Sequence, residues 1–316
     1  MKKIIALLLT LIIAVGVLAS CNQPEGSETT TIKIGVMNGP TGMGMAKLMS
    51  DNKDNTEKYE FRIYNDPNSA TADLANGTVD MLCLPTNLAA NLSIKQEDYI
   101  STIAINCLGS LYLLSDGSNE ISDIGDLEGM TVYTSVKTST TGPILTYILE
   151  EAGVDATVED SVYADHDSLV AAIKSGEVEL AVLPEPKATA ALMQNPDYSI
   201  ALNLSTEWNF VSVEPLTMGC IVVRNDYLAA NKATVDAFLS EYKASIEYIG
   251  SKANHDAAAN MIVDNGIIPK LPIAKSALNN LYGSIVYIDG EDMQAALEAF
   301  YDAIGNEQPA DEFYYK

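Results

Sequence analysis

The sequence predicts an α/β protein of two lobes, each a mostly parallel sheet flanked by helices, with two crossing strands as the hinge. Three observations predict this fold class. Short apolar strand-like segments alternate with helix-like ones, which is typical of parallel sheets. The 316 residues exceed the roughly 250–300 at which a single core stops growing. A pattern of Gly, Val, an acidic residue, Leu and Pro occurs twice, as NGTVDMLCLPTN from Asn76 and SGEVELAVLPEP from Ser175.

Composition excludes several classes of function. The chain carries 18 Lys and Arg against 43 Asp and Glu, a formal net charge of -25. Such a surface repels nucleic acid, whose binding depends on basic side chains that neutralise phosphates. It also offers no basic patch to anionic lipids. With 47% hydrophobic and 19% charged residues, the composition is that of a folded globular protein.

The amino terminus is typical of an export signal. Lys2 and Lys3 precede an apolar run over 4–18 that is too short to span a membrane comfortably. The run ends in Leu18-Ala19-Ser20-Cys21, which resembles the lipobox of bacterial lipoproteins. We therefore predict a signal peptide over 1–20, lipid attachment at Cys21 and a flexible tether over 21–31. An ordinary secretory signal is the alternative. The mature protein would lie at the extracytoplasmic face of the bacterial cell membrane, held there by lipid alone.

The first half follows a strand–loop–helix order. Alternating apolar residues predict a strand over 31–37, and the loop Asn38–Gly42 leads into an amphipathic helix over 43–49. The remaining elements predicted for this half are a strand over 60–64, a helix over 71–76, a strand over 81–84 and a loop over 85–87.

The same order returns about a hundred residues later, which predicts two structurally equivalent halves. The elements predicted for the second half are a strand over 130–133, a polar loop over 137–142, a helix over 143–151, a helix over 169–175, a strand over 180–183 and a loop over 184–186.

Two extended apolar segments, 102–114 and 215–223, are predicted to cross between the halves. Lobe 1 then comprises residues 32–110 and 218–316, and lobe 2 comprises residues 111–217. Helices predicted over 226–249, 256–265 and 290–304 complete lobe 1. Closure of two lobes about such a hinge is a known mode of conformational switching around a ligand.

Ligands of open parallel sheets bind beyond the carboxyl ends of the strands, where loops lead into helices. Four of the predicted loops follow strands in this way and would converge on a cleft between the lobes. The candidate ligand-binding residues are those of the four loops and one methionine of the second crossing segment: Asn38, Gly39, Thr41, Gly42, Thr86, Asn87, Ser139, Thr140, Thr141, Glu185 and Met218.

Two ligand chemistries remain open for a small organic solute that is polar at one end. Hydroxyls at helix amino termini suit a sulfonate, carboxylate or phosphate, although Ser and Thr also cap helices there. Arg62 and Arg224 are the only arginines, which disfavours an anion. Glu185 would favour an amine or ring N–H, unless its Pro-Glu-Pro segment only shapes a turn. Trp208 and Tyr112 could stack against a ring or belong to the core.

Catalytic and metal-binding motifs are missing from the sequence, so we predict no enzymatic activity, no metal and no cofactor. His166 and His255 are the only histidines, and no Gly-x-Ser-x-Gly, HExxH or P-loop pattern is present. Asp165-His166-Asp167 could be drawn as a metal site, but adjacent side chains diverge. Asp167 is instead predicted to cap the next helix.

Three cysteines remain beyond Cys21, and their odd number and wide spacing exclude a disulfide framework. Cys83, Cys107 and Cys220 are predicted to be small buried residues. Because Cys107 and Cys220 lie in the two crossing segments, they could be neighbours, and whether they pair stays open.

Several motifs together resemble the type II solute-binding proteins of ABC importers, and most closely the nitrate, sulfonate, taurine and thiamine-precursor class. The resemblance covers most of residues 32–304. Besides the lipobox, the motifs that carry it are GPTG over 39–42, DLEGMTV over 126–132, LPEP over 183–186 and VVRNDYL over 222–228.

The resemblance implies a type II periplasmic-binding-protein fold that captures a small solute outside the cell. It also implies delivery of that solute to a permease with its ATPase, by a protein that acts as a monomer. A lipoprotein sensor or adhesin on the same scaffold is the alternative, and a cleft enzyme is a weaker one.

Overall fold

The computed structural model describes residues 31–135 and 140–316, which form two β-sheets with helices on both faces. The predicted signal peptide, the lipid site at Cys21, nearly all of the predicted tether and Ser139 lie outside the described residues. The strands are β1 (Ile32–Met37), β2 (Tyr59–Tyr64), β3 (Met81–Pro85), β4 (Ile100–Leu108), β5 (Leu111–Ser115), β6 (Thr131–Ser135), β7 (Thr157–Tyr163), β8 (Leu180–Pro184), β9 (Ser199–Asn203), β10 (Thr217–Arg224) and β11 (Ile285–Ile288).

Helices connect most of these strands. The helices are α1 (Pro40–Met43), α2 (Ala46–Asp51), α3 (Pro67–Ala75), α4 (Thr86–Lys95), α5 (Thr141–Ala152), α6 (His166–Ser175), α7 (Lys187–Gln194), α8 (Leu204–Val211), α9 (Asn225–Gly250), α10 (His255–Asp264), α11 (Leu271–Asn280) and α12 (Gly290–Ala303). Among the described residues, no helix is both long enough and apolar enough to cross a bilayer.

The first sheet has the strand order β11-β4-β10-β3-β1-β2. β1 pairs in parallel with β2 and β3, whereas β10 is antiparallel to β3 and β4, and β11 is antiparallel to β4. Four of these six strands therefore run in one direction. We call this sheet with the helices packed on it lobe 1.

The second sheet has the order β7-β6-β8-β5-β9 and, with its helices, forms lobe 2. β6 pairs in parallel with β7 and β8, and β5 is antiparallel to β8 and β9. Four of these five strands share a direction, so the predicted mostly parallel arrangement is confirmed. In each lobe the carboxyl ends of the parallel strands lie at one edge.

Two short segments connect the sheets. Gly109 and Ser110 lead from β4 to β5, and residues 212–216 lead from α8 to β10. Gly109 N donates to Leu216 O at 2.7 Å, so the two segments are hydrogen-bonded to each other. Gly109 has a φ of 36°, which a residue with a side chain rarely adopts. The chain therefore crosses between the sheets where the sequence places the two crossing segments.

Hydrophobic residues pack on both faces of each sheet, as strand periodicity requires. In β10, Cys220 and Val222 join a cluster that is continuous across both lobes, whereas Ile221 and Val223 join the cluster under α9, α10 and α11. Cys107 belongs to that second cluster. Cys107 and Cys220 thus lie on opposite faces of the sheet, and both are free and buried.

Local signals explain where several elements stop. α5 and α6 end at Gly153 and Gly176, whose φ values of 69° and 72° suit glycine. α6 begins with a capping box of Asp165 and Ser168, so the prediction that Asp167 is the cap was wrong. The loop predicted over 85–87 was wrong, because Pro85 ends β3 and α4 begins at Thr86.

Candidate functional site

The carboxyl ends of the parallel strands of the two lobes lie close together. The loop after β1 meets the loop after β8, because a Cβ placed on Gly39 would lie 3.7 Å from Pro186 Cδ. Gly39 has a φ of 97°, which favours glycine at this position. Two of the four loops predicted from the sequence are therefore brought together, one from each lobe.

Lobe 1 presents polar side chains at this edge. Asn38 Nδ2 donates to Asn65 Oδ1, while Asn38 Oδ1 is buried and has no hydrogen-bond partner in the described part of the chain. Thr41 is 8% exposed. The half-buried Asn87 lies in the first turn of α4. These three side chains are placed where a solute in the cleft could reach them.

Other lobe 1 candidates have structural partners. Thr86 Oγ1 donates to Thr217 O at 3.2 Å, and Thr86 O accepts from Tyr301 at 3.1 Å. A Cβ on Gly42 would lie 2.2 Å from Met37 O, so only glycine fits there. Met218 packs against the cluster that is continuous across both lobes and against the cluster under α9, α10 and α11. Their contact with ligand stays a prediction.

Lobe 2 contributes the amino terminus of α5. Thr140 precedes the helix without forming a side-chain cap, and Thr141 is its buried first residue. Beneath this turn, Thr134 Oγ1 is buried and unpartnered among the described residues, 3.4 Å from a Cβ placed on Gly142. A buried hydroxyl with no partner among the described residues can form a hydrogen bond with a group bound next to it.

His166 and Ser135 also lie at this edge, and the sequence interpretation did not assign them to the ligand site. Ser135 Oγ is 2.5 Å from His166 Nδ1, which fixes the orientation of the ring. Burial, and then the nearby Lys187, lower the pKa of His166, so the ring is neutral near pH 7. Lys187 itself pairs with Asp167. The position of His166 in the first turn after β7 is the signal that could have identified it.

Glu185 is buried, with 2% of its surface exposed. Its Oε1 accepts from Asn280 Nδ2 at 2.6 Å and from Thr189 Oγ1 at 2.9 Å. Burial raises the pKa of this carboxyl, while both hydrogen bonds oppose the rise. The hydrogen-bonding capacity of Glu185 is thus largely used inside the protein, and its role as a ligand contact stays a prediction.

Both arginines lie away from the cleft. Arg62 donates to Asp73 at 2.9 Å, and Arg224 lies 3.8 Å from Asp80 at the opposite edge of the sheet. The two aromatic candidates belong to the interior: Trp208 donates to Glu214 O at 2.8 Å, and Tyr112 donates to Asn280 O at 2.6 Å. Among the described residues, no guanidinium faces the carboxyl ends of the strands, and no group of side chains is arranged to hold a metal ion.

A family model described as "ABC transporter, phosphonate, periplasmic substrate-binding protein" matches residues 47–265. The chain belongs to this family. It is therefore the substrate-binding component of an ABC importer, and it works outside the cytoplasm. The resemblance seen in the sequence is confirmed. No curated protein sequence is significantly similar to the chain.

Solved structures show the same fold for this substrate-binding protein. An ABC transporter from Parabacteroides distasonis has a TM-score of 0.72 at 20% identity, covering 91% of this chain and 99% of that one. The periplasmic aliphatic sulphonate-binding protein SsuA from Escherichia coli has a TM-score of 0.70 at 17% identity, covering 91% and 92%. The nitrate-binding protein NrtA from Synechocystis PCC 6803 has a TM-score of 0.58 at 12% identity, covering 84% and 75%. The family model, SsuA and NrtA are described as binding proteins, and the predicted two-lobed fold is confirmed.

Proposed function

We propose that this substrate-binding protein captures a small organic oxyanion in the cleft between its lobes. It then passes the solute to a permease with an associated ATPase. In this proposal the protein acts as a monomer, without enzymatic activity, and lipid on Cys21 holds it at the outer face of the membrane.

The observation that carries the proposal is that helices at the cleft edge begin without a side-chain cap, among them α4 and α5. α4 follows Pro85 and α5 follows Thr140, and neither has a side-chain cap. The positive dipole end at each of these amino termini favours an anion. α6 differs, because the carboxylate of Asp165 already occupies its amino terminus. The oxyanion would therefore be held by α4, α5 and the hydroxyl of Thr134 rather than by α6.

The absence of a guanidinium from the described cleft edge limits the charge of the solute. Arginine forks are the usual partners of a fully ionised phosphate. Hydroxyls and backbone N–H groups suit a singly charged head group such as a sulfonate or a phosphonate monoanion. The family description names phosphonate, and the Escherichia coli structure is a sulphonate-binding protein. An amine-bearing solute is less favoured, because Glu185 already accepts two side-chain hydrogen bonds.

A thermal-shift screen followed by calorimetry tests the proposal. The probes are methylphosphonate, ethanesulfonate and nitrate, with choline and cytosine as non-anionic controls. A ligand at a hundred times its Kd adds about 2.7 kcal/mol to the free energy of unfolding. We expect at least one organic oxyanion to stabilise the protein, and neither control to do so. Stabilisation by choline or cytosine alone would contradict the proposal.

A matched pair of variants then tests the site itself. Thr134→Val keeps the side-chain volume and removes the unpartnered hydroxyl. Because a hydrogen bond to a charged group contributes about 1.5–3 kcal/mol, affinity for the oxyanion should fall by about tenfold or more. Thr102→Val makes the same change at another fully buried threonine, on β4 away from α5, and should leave the affinity unchanged. Equal effects of the two variants would remove Thr134 from the site.

A further inference from the structure

A buried carboxylate lies directly beside the segment that joins the lobes. Glu185 follows β8, and its backbone N donates to Ser110 O at 2.8 Å. Ser110 is one of the two residues through which the chain crosses from lobe 1 to lobe 2. The next residue, Pro186, faces Gly39 across the cleft. The position of Glu185 therefore connects the hinge with the contact between the two cleft loops.

The side chain of Glu185 reaches from lobe 2 to lobe 1. Asn280, the last residue of α11, donates through Nδ2 to Glu185 Oε1 at 2.6 Å. Thr189 of α7 donates to the same oxygen at 2.9 Å. Tyr112 of β5 donates to the backbone oxygen of Asn280 at 2.6 Å. Asn280 Nδ2 also donates to Thr189 Oγ1 at 3.4 Å. Three residues of lobe 2 thus bind one residue of lobe 1, through its side chain and through its main chain.

Hydrogen bonds, rather than an opposite charge, stabilise this carboxylate within the described part of the chain. On β5, Tyr112 is the titratable group that faces it. On α7, Lys187 is paired with Asp167, and on α11, Lys275 is paired with Asp256. A buried carboxylate that loses a donor is left poorly solvated. The Glu185–Asn280 hydrogen bond is therefore sensitive to any change in the relative position of the lobes.

We propose that Asn280 is a positioning residue for solute binding and that Asn280, Glu185, Thr189 and Tyr112 form a hinge brace. The brace fixes the angle between the lobes, and through Pro186 it sets the distance between the two cleft loops. It acts before any solute is bound and does not depend on which solute the cleft takes. Glu185 is, on this account, a part of the hinge rather than a ligand contact.

Small-angle X-ray scattering of the purified full-length chain, without solute, tests the brace between pH 5 and pH 9. Asn280→Asp places a second carboxyl group against Glu185, and two carboxylates at hydrogen-bond distance cannot both ionise without repulsion. We expect the radius of gyration of this variant to match that of the unmodified protein at pH 5 and to increase as the pH rises. The unmodified protein should not show this increase.

Two further variants separate the brace from a general effect of charge. Asn279→Asp makes the same substitution at an exposed neighbour on the same helix and should behave like the unmodified protein. Adding Glu185→Gln to Asn280→Asp restores an amide–carboxylate pair with the roles reversed, and should abolish the pH-dependent expansion. Such a reversal measures the coupling between the two positions.

A radius of gyration that does not change with pH in Asn280→Asp would overturn the proposal, as would a double variant that still expands. If Asn280→Asp does not fold at high pH by circular dichroism, Asn280→Ala replaces it. This variant removes only the donor and should expand at every pH, so an unchanged radius would also overturn the brace. Because no solute is present, failure of the oxyanion proposal leaves these outcomes unaffected.

Discussion

Substitution of Gly219 by alanine tests how tightly α1 packs on the first sheet. A Cβ at Gly219 would lie 2.5 Å from Thr41 Cγ2 and 2.6 Å from Asn106 Oδ1. Both distances are well inside van der Waals contact, so α1, which carries Thr41, must move. Overpacking of this kind costs about 1–3 kcal/mol. Because Thr41 is a predicted ligand contact, we expect the affinity for the proposed oxyanion to fall along with the free energy of unfolding.

Urea unfolding and thermal melts measure the change in stability, and calorimetry with the oxyanion measures the change in affinity. Each kcal/mol corresponds to a decrease in Tm of about 2–4 °C. Thr41→Ser removes the methyl group that clashes and keeps the hydroxyl, so Gly219→Ala combined with Thr41→Ser should recover part of the lost stability. The reasoning is refuted if Gly219→Ala is as stable as the unmodified protein, or if Thr41→Ser recovers none of the loss.

Three other predictions concern titration and thiol chemistry. Because burial raises the pKa of Glu185, native stability should fall as the pH rises from the ordinary range of a carboxyl towards the raised value. Urea unfolding at several pH values measures this fall in stability, and the Glu185→Gln variant should not show it. Burial lowers the pKa of His166, so stability should be lost as the pH falls below the ordinary range of histidine. A ring-proton titration by NMR should give a midpoint below about 6.5. The His166→Asn variant should not show the loss of stability at low pH. Thiol titration of the denatured mature protein should count three thiols if Cys21 carries lipid and all four if it does not. In the native protein the three described cysteines, each fully buried, should not react.

The elements that the sequence predicted well are those buried on both sides. β3 and β8 are continuous apolar runs that end in proline, and the predicted bounds lie within one residue of those observed. β7 was missed because it is an edge strand with exposed and half-buried residues such as Glu159 and Ser161, so its sequence carries no apolar alternation. An edge strand is specified by the neighbour it pairs with, and that neighbour is distant in sequence.

The candidate site was harder to predict for the same reason. The four loops follow directly from the order of strands and helices, and the sequence placed them at the cleft edge. The partner of Glu185 is 95 residues away on α11, a helix that the sequence did not predict. No local pattern can connect Glu185 with Asn280. His166 was considered only as a metal ligand, because its contact with Ser135 depends on how β6 and α6 pack.

The repeated pattern itself shows which features the two lobes share and which they do not. Gly77 and Gly176 have φ values of 75° and 72°, and each lies just after a helix and two residues before a buried valine that leads into a strand. This Gly-x-Val part of the pattern forms the turn from a helix into the next strand, at the edge of the sheet far from the cleft. Both lobes need the same turn geometry there. At the cleft edge the copies diverge. In lobe 1, Pro85 leads directly into an uncapped helix, whereas in lobe 2 the equivalent proline is followed by Glu185 and the hinge brace. Because we propose that one copy ends in an anion site and the other in the hinge brace, an exchange of these loops should impair both functions together.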